Sequence, residues 1–344
     1  MIFIKTFNRV KKTKFWYVIL KYLIVPAYDF IWSHLINLKG KSLYKKFKKK
    51  NINSIYDIPE NIPGITIRND KDFYDIAIKI SESIDFDLIK KKIDELKKDN
   101  SISINRNFTF EHFSDLSDDL KKNIINFATS EKNLAIASDY LKVFPVIGKI
   151  HLYVNFPIDN HTERAAMLWH KDDFGYKSLD FFIPITELTS ENGSMFYLNK
   201  KDDLNIFRRV PEIIKDAKPK ERNKIKIDDF NKYCEQNEIS EFTGKIGDAL
   251  LIDSFRVYHR GGYCTKNIRI MFRVSYQTPD SSRLLNFDDE SFKYFDKIKK
   301  KNLTNESEKY LFFGSNIYKN YKGLIKILLL FYRVIHIKSK KIYR

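Results

Sequence analysis

Hydrophobic and polar residues alternate along several stretches between positions 149 and 277, with the two-residue period that β-strands impose. In the longest stretch, residues 267–277, one face is apolar and the other is mixed. The apolar face carries Ile268, Ile270, Phe272, Val274 and Tyr276, and the mixed face carries Arg269, Met271, Arg273 and Ser275. Shorter strands are predicted at 149–155, 178–186, 195–198 and 249–253, with turns at 191–194 and 247–248. The pattern predicts a mainly β core with helical additions.

Helical periodicity is strongest at residues 70–98, where apolar residues such as Phe73 and Ile80 recur at helical spacing. We predict three regions: a basic, aromatic helical extension at 1–60, a core domain at 61–280, and a helical basic extension at 281–344. Within the core, residues 200–241 are highly charged and predict an insertion between strands. This insertion could close over a site as a lid, or it could be a solvated loop.

The composition limits the class of protein. The 344 residues include 15% aromatic residues, which argues against disorder, and two cysteines, Cys234 and Cys264, which give no disulfide framework or zinc spacing. We therefore expect a reduced, cytoplasmic protein. The formal net charge of +18 comes mostly from lysine and accompanies no repeated basic and aromatic pattern, so we expect no binding to nucleic acid.

Two apolar segments lie near the ends, at 15–32 and 324–337. Lys21, Pro26 and Asp29 interrupt the first, which makes it a poor membrane span, and it lacks the cleavage site of a signal peptide. Two alternatives stay open for both segments. They could be helices that pack on the core, or interfacial helices that give peripheral contact with an anionic membrane.

The candidate chemistry centres on His170, Asp172 and His259. In an extended strand, residues i and i+2 share a face, so the His170 imidazole and the Asp172 carboxylate can bind one metal ion. His259 follows the predicted strand at 249–253 and can supply a second imidazole. Two histidines and one carboxylate form the facial triad of non-haem Fe(II) oxygenases, which leaves three coordination positions open. The tripeptide is a weak signal alone, and its context strengthens it.

Two neighbouring strands supply further polar candidates. If the face bearing Arg269 and Arg273 lines a cavity, each guanidinium needs an anion, and a carboxylate fits its planar fork. The predicted strand at 149–155 places four polar side chains on one face, either toward a ligand or toward solvent. These side chains are Lys149, His151, Tyr153 and Asn155.

The ordered set of His170, Asp172, the Asn192-Gly193 turn, the Gly247-Asp248 turn, His259 and Arg269 resembles the phytanoyl-CoA dioxygenase family of Fe(II)- and 2-oxoglutarate-dependent oxygenases. The resemblance covers roughly residues 149–278 and implies a double-stranded β-helix, a cupin-like jelly roll. It implies that His170, Asp172 and His259 bind iron and that Arg269 binds the distal carboxylate of 2-oxoglutarate. We add Lys149, Tyr153 and Asn155 as cofactor-binding residues and Arg273 as a residue that meets an anionic group of the substrate.

The implied reaction is hydroxylation of a small-molecule, lipid or sugar-derived substrate by dioxygen, with release of succinate and carbon dioxide and with ascorbate as an accessory reductant. Related halogenases replace the triad carboxylate by a small residue, whereas this chain keeps Asp172, which favours hydroxylation. The chain departs from many relatives after the Asn-Gly turn, where a Pro-Gly-Ser-His stretch is absent. Two rival interpretations remain: a catalytically silent jelly-roll binding protein and a basic peripheral membrane protein.

Overall fold

A computed structural model describes residues 25–50, 52–59, 64–98, 108–157, 165–172, 177–199, 224–232 and 234–279. The predicted C-terminal extension and its segment at 324–337 lie outside these residues, as do positions 1–24 and 200–223. The first described helix begins at Val25, within the predicted N-terminal extension. None of the helices in the described ranges combines the length and the apolar character needed to cross a membrane.

Six helices and eleven strands make up the described fold. The helices are α1 (Val25–Lys48), α2 (Lys71–Ser83), α3 (Phe86–Lys98), α4 (Asp118–Ala128), α5 (Glu131–Leu141) and α6 (Ile227–Asn231). The strands are β1 (Gly64–Ile67), β2 (Thr109–Glu111), β3 (Val146–Asn155), β4 (Trp169–His170), β5 (Ser178–Pro184), β6 (Met195–Leu198), β7 (Lys224–Ile225), β8 (Ile239–Phe242), β9 (Ala249–Ile252), β10 (His259–Gly261) and β11 (Arg269–Gln277).

The strands form two antiparallel sheets. One has the order β1-β9-β5-β11-β3-β2 and the other has the order β7-β4-β10-β6-β8. Side chains from the two sheets meet in one apolar cluster, which joins Phe182 and Met271 of the first sheet to Met195 and Tyr197 of the second. Two facing antiparallel sheets with these crossovers form a jelly roll, so the predicted fold class is confirmed.

Helices cover the outer face of the six-stranded sheet. This face consists of the apolar positions of the long strands, and they pack against α2, α4 and α5 in the larger hydrophobic cluster. The rings of Phe73 and Phe181 lie 5.9 Å apart, and the Tyr276 hydroxyl donates to the carbonyl of Ala128. Because this face is apolar and covered, the polar face of the same strands must line the interior between the sheets.

The region predicted as helical at 70–98 contains two helices, α2 and α3. The carboxylate of Asp85 accepts hydrogen bonds from the backbone amides of Asp87 and Leu88, which is the geometry of an N-cap. The apolar spacing continues across the break, from Ile80 through Ile84 to Ile89, so periodicity alone did not indicate it. The predicted helical character of 70–98 is therefore confirmed, and the break between the two helices was not predicted.

The segment predicted as a charged insertion contributes to the second sheet. Its described part contains β7, which pairs with β4, and most of β8, which pairs with β6. These are the two edge strands of the five-stranded sheet. A short edge strand can carry charged residues because one side of it is open to solvent, which is why this segment did not show a strand pattern.

Asp70 fixes the beginning of α2 and supplies a stability prediction. Its carboxylate accepts from the amides of Asp72 and Phe73, pairs with Lys132 at 2.9 Å and accepts from the Tyr56 hydroxyl. Burial raises the pKa of Asp70, but the hydrogen bonds from Tyr56 and Lys132 outweigh it and hold the pKa below its usual value. We expect Asp70→Ala to lower the free energy of unfolding by about 1 to 2 kcal/mol, measured by urea denaturation at neutral pH.

The pH dependence follows from the direction of that shift. A carboxyl whose folded pKa is depressed contributes stability above its unfolded pKa of about 3.9, and that contribution disappears as pH falls through the folded pKa. The stability difference between wild type and Asp70→Ala should therefore shrink below about pH 4. Asp75→Ala, at an exposed position of the same helix, is the matched control and should change stability by less than about 0.5 kcal/mol. Equal losses in both variants would contradict the assignment.

Candidate metal centre

His170 and His259 lie directly opposite each other on the neighbouring strands β4 and β10. Directly opposed residues of antiparallel strands point to the same face, so both imidazoles enter the space between the sheets. Their ring centroids are 4.4 Å apart. His259 is 4% exposed, and His170 is more accessible, which places His170 nearer the opening.

Backbone carbonyls fix both imidazoles in one tautomer. Nδ1 of His170 lies 2.8 Å from the carbonyl oxygen of Leu168, and Nδ1 of His259 lies 3.0 Å from that of Val257. A carbonyl oxygen only accepts, so each Nδ1 carries the proton and each Nε2 keeps a lone pair for a metal. Burial lowers the pKa of His259, which favours the neutral form that metal binding requires.

Asp172 follows β4 and is held in place by the loop after β9. Its backbone amide donates to the carbonyl of Ser254 at 2.8 Å, and the Ser254 hydroxyl donates to Oδ2 of Asp172 at 3.3 Å. The neighbouring Trp169 points to the other side of the sheet, where it stacks on Phe230 at 4.2 Å between ring centroids. Trp169 therefore faces away from the site, and His170 and Asp172 converge on it as expected for positions two residues apart. The strand β4 itself ends at His170.

These three side chains fit one metal ion. Among the described residues they are the group of three histidine, cysteine or carboxylate side chains that converges, with ligand atoms within 4.8 Å of one another. Neighbouring ligands about 2.1 Å from a metal in an octahedral site lie about 3 Å apart, so the three side chains would move closer together to bind one ion. Two neutral imidazoles and one carboxylate are the donor set of non-haem Fe(II) sites.

Arg269 begins β11 and is buried beside the Asn-Gly turn. Its Nε donates to Oδ1 of Asn155 at 3.2 Å, and its Nη1 donates to the carbonyl of Gly193. Gly193 has a φ of +87°, and a Cβ there would lie 3.1 Å from Nη1 of Arg269. The turn therefore needs glycine for its backbone conformation and because a Cβ would lie 2.8 Å from the backbone oxygen of Gly262.

The polar side chains of β3 face the interior. In the pairing of β3 with β11, Asn155 lies opposite Arg269 and His151 lies opposite Arg273. Nζ of Lys149 lies 3.0 Å from the hydroxyl of Tyr153, which brings the ammonium group toward the middle of the strand. Of the two alternatives for this face, an outer polar surface is thus excluded, and the role of these side chains in binding a ligand stays a prediction.

Arg273 already contacts two carboxylates of this chain. Its Nη2 lies 2.6 Å from Oδ2 of Asp172, and its Nε lies 2.9 Å from Oδ1 of Asp180. The predicted contact between Arg273 and an anionic group of the substrate stays a prediction. Sequence analysis did not identify Asp180, although a carboxylate on the inner face of an otherwise apolar strand was the available signal.

A third buried carboxyl group, that of Asp253, extends this network toward the helices. Oδ1 of Asp253 accepts from the amide and hydroxyl of Ser178, and Oδ2 accepts from the hydroxyl of Tyr140 on α5. Burial raises the pKa of Asp253 to about 6. Ser178 also bonds to Asp180, so the carboxylates form a continuous hydrogen-bonded series behind the candidate metal centre.

The chain is similar in structure to several solved proteins at low identity. These include SnoK, a non-heme alpha ketoglutarate dependent carbocyclase from nogalamycin biosynthesis, at 14% identity and a TM-score of 0.40, covering 64% of this chain and 81% of that one. AviO1 from Streptomyces viridochromogenes Tue57 gives 13% identity and a TM-score of 0.39, covering 64% and 92%. EctD from S. alaskensis, solved with 2-oxoglutarate and 5-hydroxyectoine, gives 12% and 0.38, covering 66% and 80%.

No family model matches the chain, and no curated protein matches its sequence. The resemblance to the phytanoyl-CoA dioxygenase family therefore depends on the motif residues alone. The solved structures have low identities and TM-scores, so the chemistry of the site follows from the residues of this chain alone.

Proposed function

We propose that this protein is an Fe(II)- and 2-oxoglutarate-dependent dioxygenase that hydroxylates a small-molecule substrate. The observation that supports this most strongly is the convergence of His170, Asp172 and His259, with both imidazoles fixed so that Nε2 is the ligand atom. A triad of this composition, with Asp172 and His259 buried inside a jelly roll, suits Fe(II) and leaves three positions for other ligands.

Each of the remaining residues has a task that its position supports. Arg269 would bind the distal carboxylate of 2-oxoglutarate by charge-assisted hydrogen bonds, with Asn155 orienting its guanidinium. Lys149 and Tyr153 would complete the polar wall around the cofactor. When bound, Fe(II) with 2-oxoglutarate supplies the oxidation of a substrate C-H bond by dioxygen, coupled to release of succinate and carbon dioxide. The apolar residues between the sheets, Phe182, Met195 and Met271 among them, would exclude water from that chemistry.

Succinate release tests the proposal without knowledge of the substrate. Protein freed of metal by a chelator and then given Fe(II), 2-oxoglutarate and dioxygen should release succinate slowly, because such sites decarboxylate 2-oxoglutarate without a substrate at a low rate. Omission of Fe(II), replacement of Fe(II) by Zn(II), and omission of dioxygen should each abolish the signal. A metabolite screen for faster turnover would then identify the substrate class. Release no greater than that of heat-denatured protein, across the screen, would contradict the proposal.

A further inference from the structure

We propose that Arg273 and Asp180 are positioning residues for the metal-binding carboxylate of Asp172. This inference rests on the proposed function, since it takes Asp172 as a metal ligand. The side chains of Arg273, Asp180 and Asp172 are 7%, 0% and 11% exposed, so their contacts are made away from solvent. In such surroundings a charge is retained only if it is paired and hydrogen-bonded.

The arginine connects carboxylates that belong to different sheets. Asp180 lies on β5 of the six-stranded sheet, next to β11, whereas Asp172 follows β4 of the five-stranded sheet. Nη2 of Arg273 lies within 2.9 Å of Asp180 Oδ1 and within 2.6 Å of Asp172 Oδ2. The guanidinium therefore holds Asp172 at a fixed distance from the opposite wall of the interior.

Two further contacts fix the plane of the guanidinium. Its central carbon lies 4.9 Å from the ring centroid of Phe182, the residue opposite Arg273 on β5. Its Nη2 also donates to the hydroxyl of Ser254 at 3.3 Å, and that hydroxyl bonds to both Asp172 and Asp180. A lysine ammonium is a single point charge on a flexible chain and could not reproduce this planar set of contacts.

Asp180 balances the charge that Arg273 brings to the site. A lone guanidinium 2.6 Å from Asp172 would compete with a metal cation for the same carboxylate. With Asp180 present, the Arg273 and Asp180 pair is neutral as a whole, so it orients Asp172 without adding a net positive charge beside the metal.

The arrangement also determines how Asp172 can bind. Since Oδ2 carries the contacts with Arg273 and Ser254, we assign the metal to Oδ1, which gives coordination through one oxygen. One-oxygen binding keeps the number of protein ligand atoms at three. Three positions of an octahedral site then stay open for 2-oxoglutarate and dioxygen.

The test is an anaerobic titration of Fe(II) into metal-free wild type, Arg273→Lys and Asp180→Asn. We expect the dissociation constant for Fe(II) to rise about 10- to 100-fold in both variants, the usual effect of losing a partner of a metal ligand. Arg269→Lys is the matched control. It alters the other buried arginine on the same face of β11, whose guanidinium donates to Asn155 and Gly193. Its Fe(II) dissociation constant should stay within about twofold of wild type.

A second readout separates positioning from a general loosening of β11. At saturating Fe(II), Arg273→Lys should keep the wild-type Michaelis constant for 2-oxoglutarate within about twofold, whereas Arg269→Lys should raise it. Loosening of the strand would change both constants in both variants and would overturn the inference. Urea denaturation of the metal-free proteins shows whether each variant folds. If Arg273→Lys does not fold, Asp180→Asn alone tests the inference.

Failure of this inference is distinguishable from failure of the proposed function. Wild-type turnover together with wild-type Fe(II) affinity in the folded variants would refute the positioning role alone. Absence of Fe(II) binding by the wild-type protein would refute both.

Discussion

Replacement of His170 by alanine should reduce Fe(II)-dependent release of succinate at least about 100-fold, to the level of the protein without metal. Loss of a residue that only hydrogen-bonds to a metal ligand already lowers metal affinity or activity about 10- to 100-fold. His170 is itself one of the three proposed ligands. Its Nδ1 donates to the carbonyl of Leu168, so its Nε2 keeps the lone pair that would bind the metal. The measurement is chromatographic quantification of succinate at saturating Fe(II) and 2-oxoglutarate.

Lys171→Met is the control for that variant. Lys171 is adjacent to His170 and places its ammonium 4.7 Å from the ring centroid of Tyr258, so methionine keeps most of the side-chain volume at the same point of the chain. We expect this variant to release succinate within about twofold of wild type. Equal activity of His170→Ala and Lys171→Met would show that His170 is not a metal ligand.

Arg269→Ala should raise the Michaelis constant for 2-oxoglutarate at least about 30-fold, with little change in Fe(II) affinity. Truncation of one partner of a buried charge pair costs about 2 to 5 kcal/mol, and 1.4 kcal/mol corresponds to a factor of ten. The effect is on cofactor binding because the guanidinium of Arg269 donates hydrogen bonds to Asn155 and Gly193, which are not members of the triad.

The measurement for Arg269 is succinate release as a function of 2-oxoglutarate concentration. Arg273→Lys serves as the reciprocal control, because it should alter the Fe(II) constant and spare the 2-oxoglutarate constant. An Arg269→Ala enzyme with an unchanged Michaelis constant would show that the distal carboxylate binds elsewhere, with Lys149 as the next residue to replace.

The strands around the site were predictable from alternation in the long strand β11 and from short apolar runs that follow turns in β6 and β9. The bounds of β6 are those predicted at 195–198, and β11 begins two residues later than predicted. On β11 the apolar residues face the helices, and Arg269 and Arg273 face the interior, as a period of two requires. The approach of His170 to His259 depends on pairing between strands 89 positions apart in the chain, which a resemblance could suggest and local pattern could not.

Other features depended on tertiary contacts. The break before α3 arises from a cap at Asp85, while the apolar spacing on either side continues. The charged surroundings of β8, which itself contains Glu241, hid an edge strand that is paired on one side. Asp180 had a detectable signal, a carboxylate in an apolar strand, but its partner Arg273 is distant in sequence. The partner of a buried charge is set by the fold rather than by neighbouring residues.

The most direct test of the central claim is a crystal structure of the protein grown anaerobically with Fe(II), with anomalous diffraction recorded at the iron absorption edge. We predict one strong anomalous peak bonded to Nε2 of His170, Nε2 of His259 and a single carboxylate oxygen of Asp172. An anomalous map with no peak at these residues, or with iron bound at another place, would contradict the account.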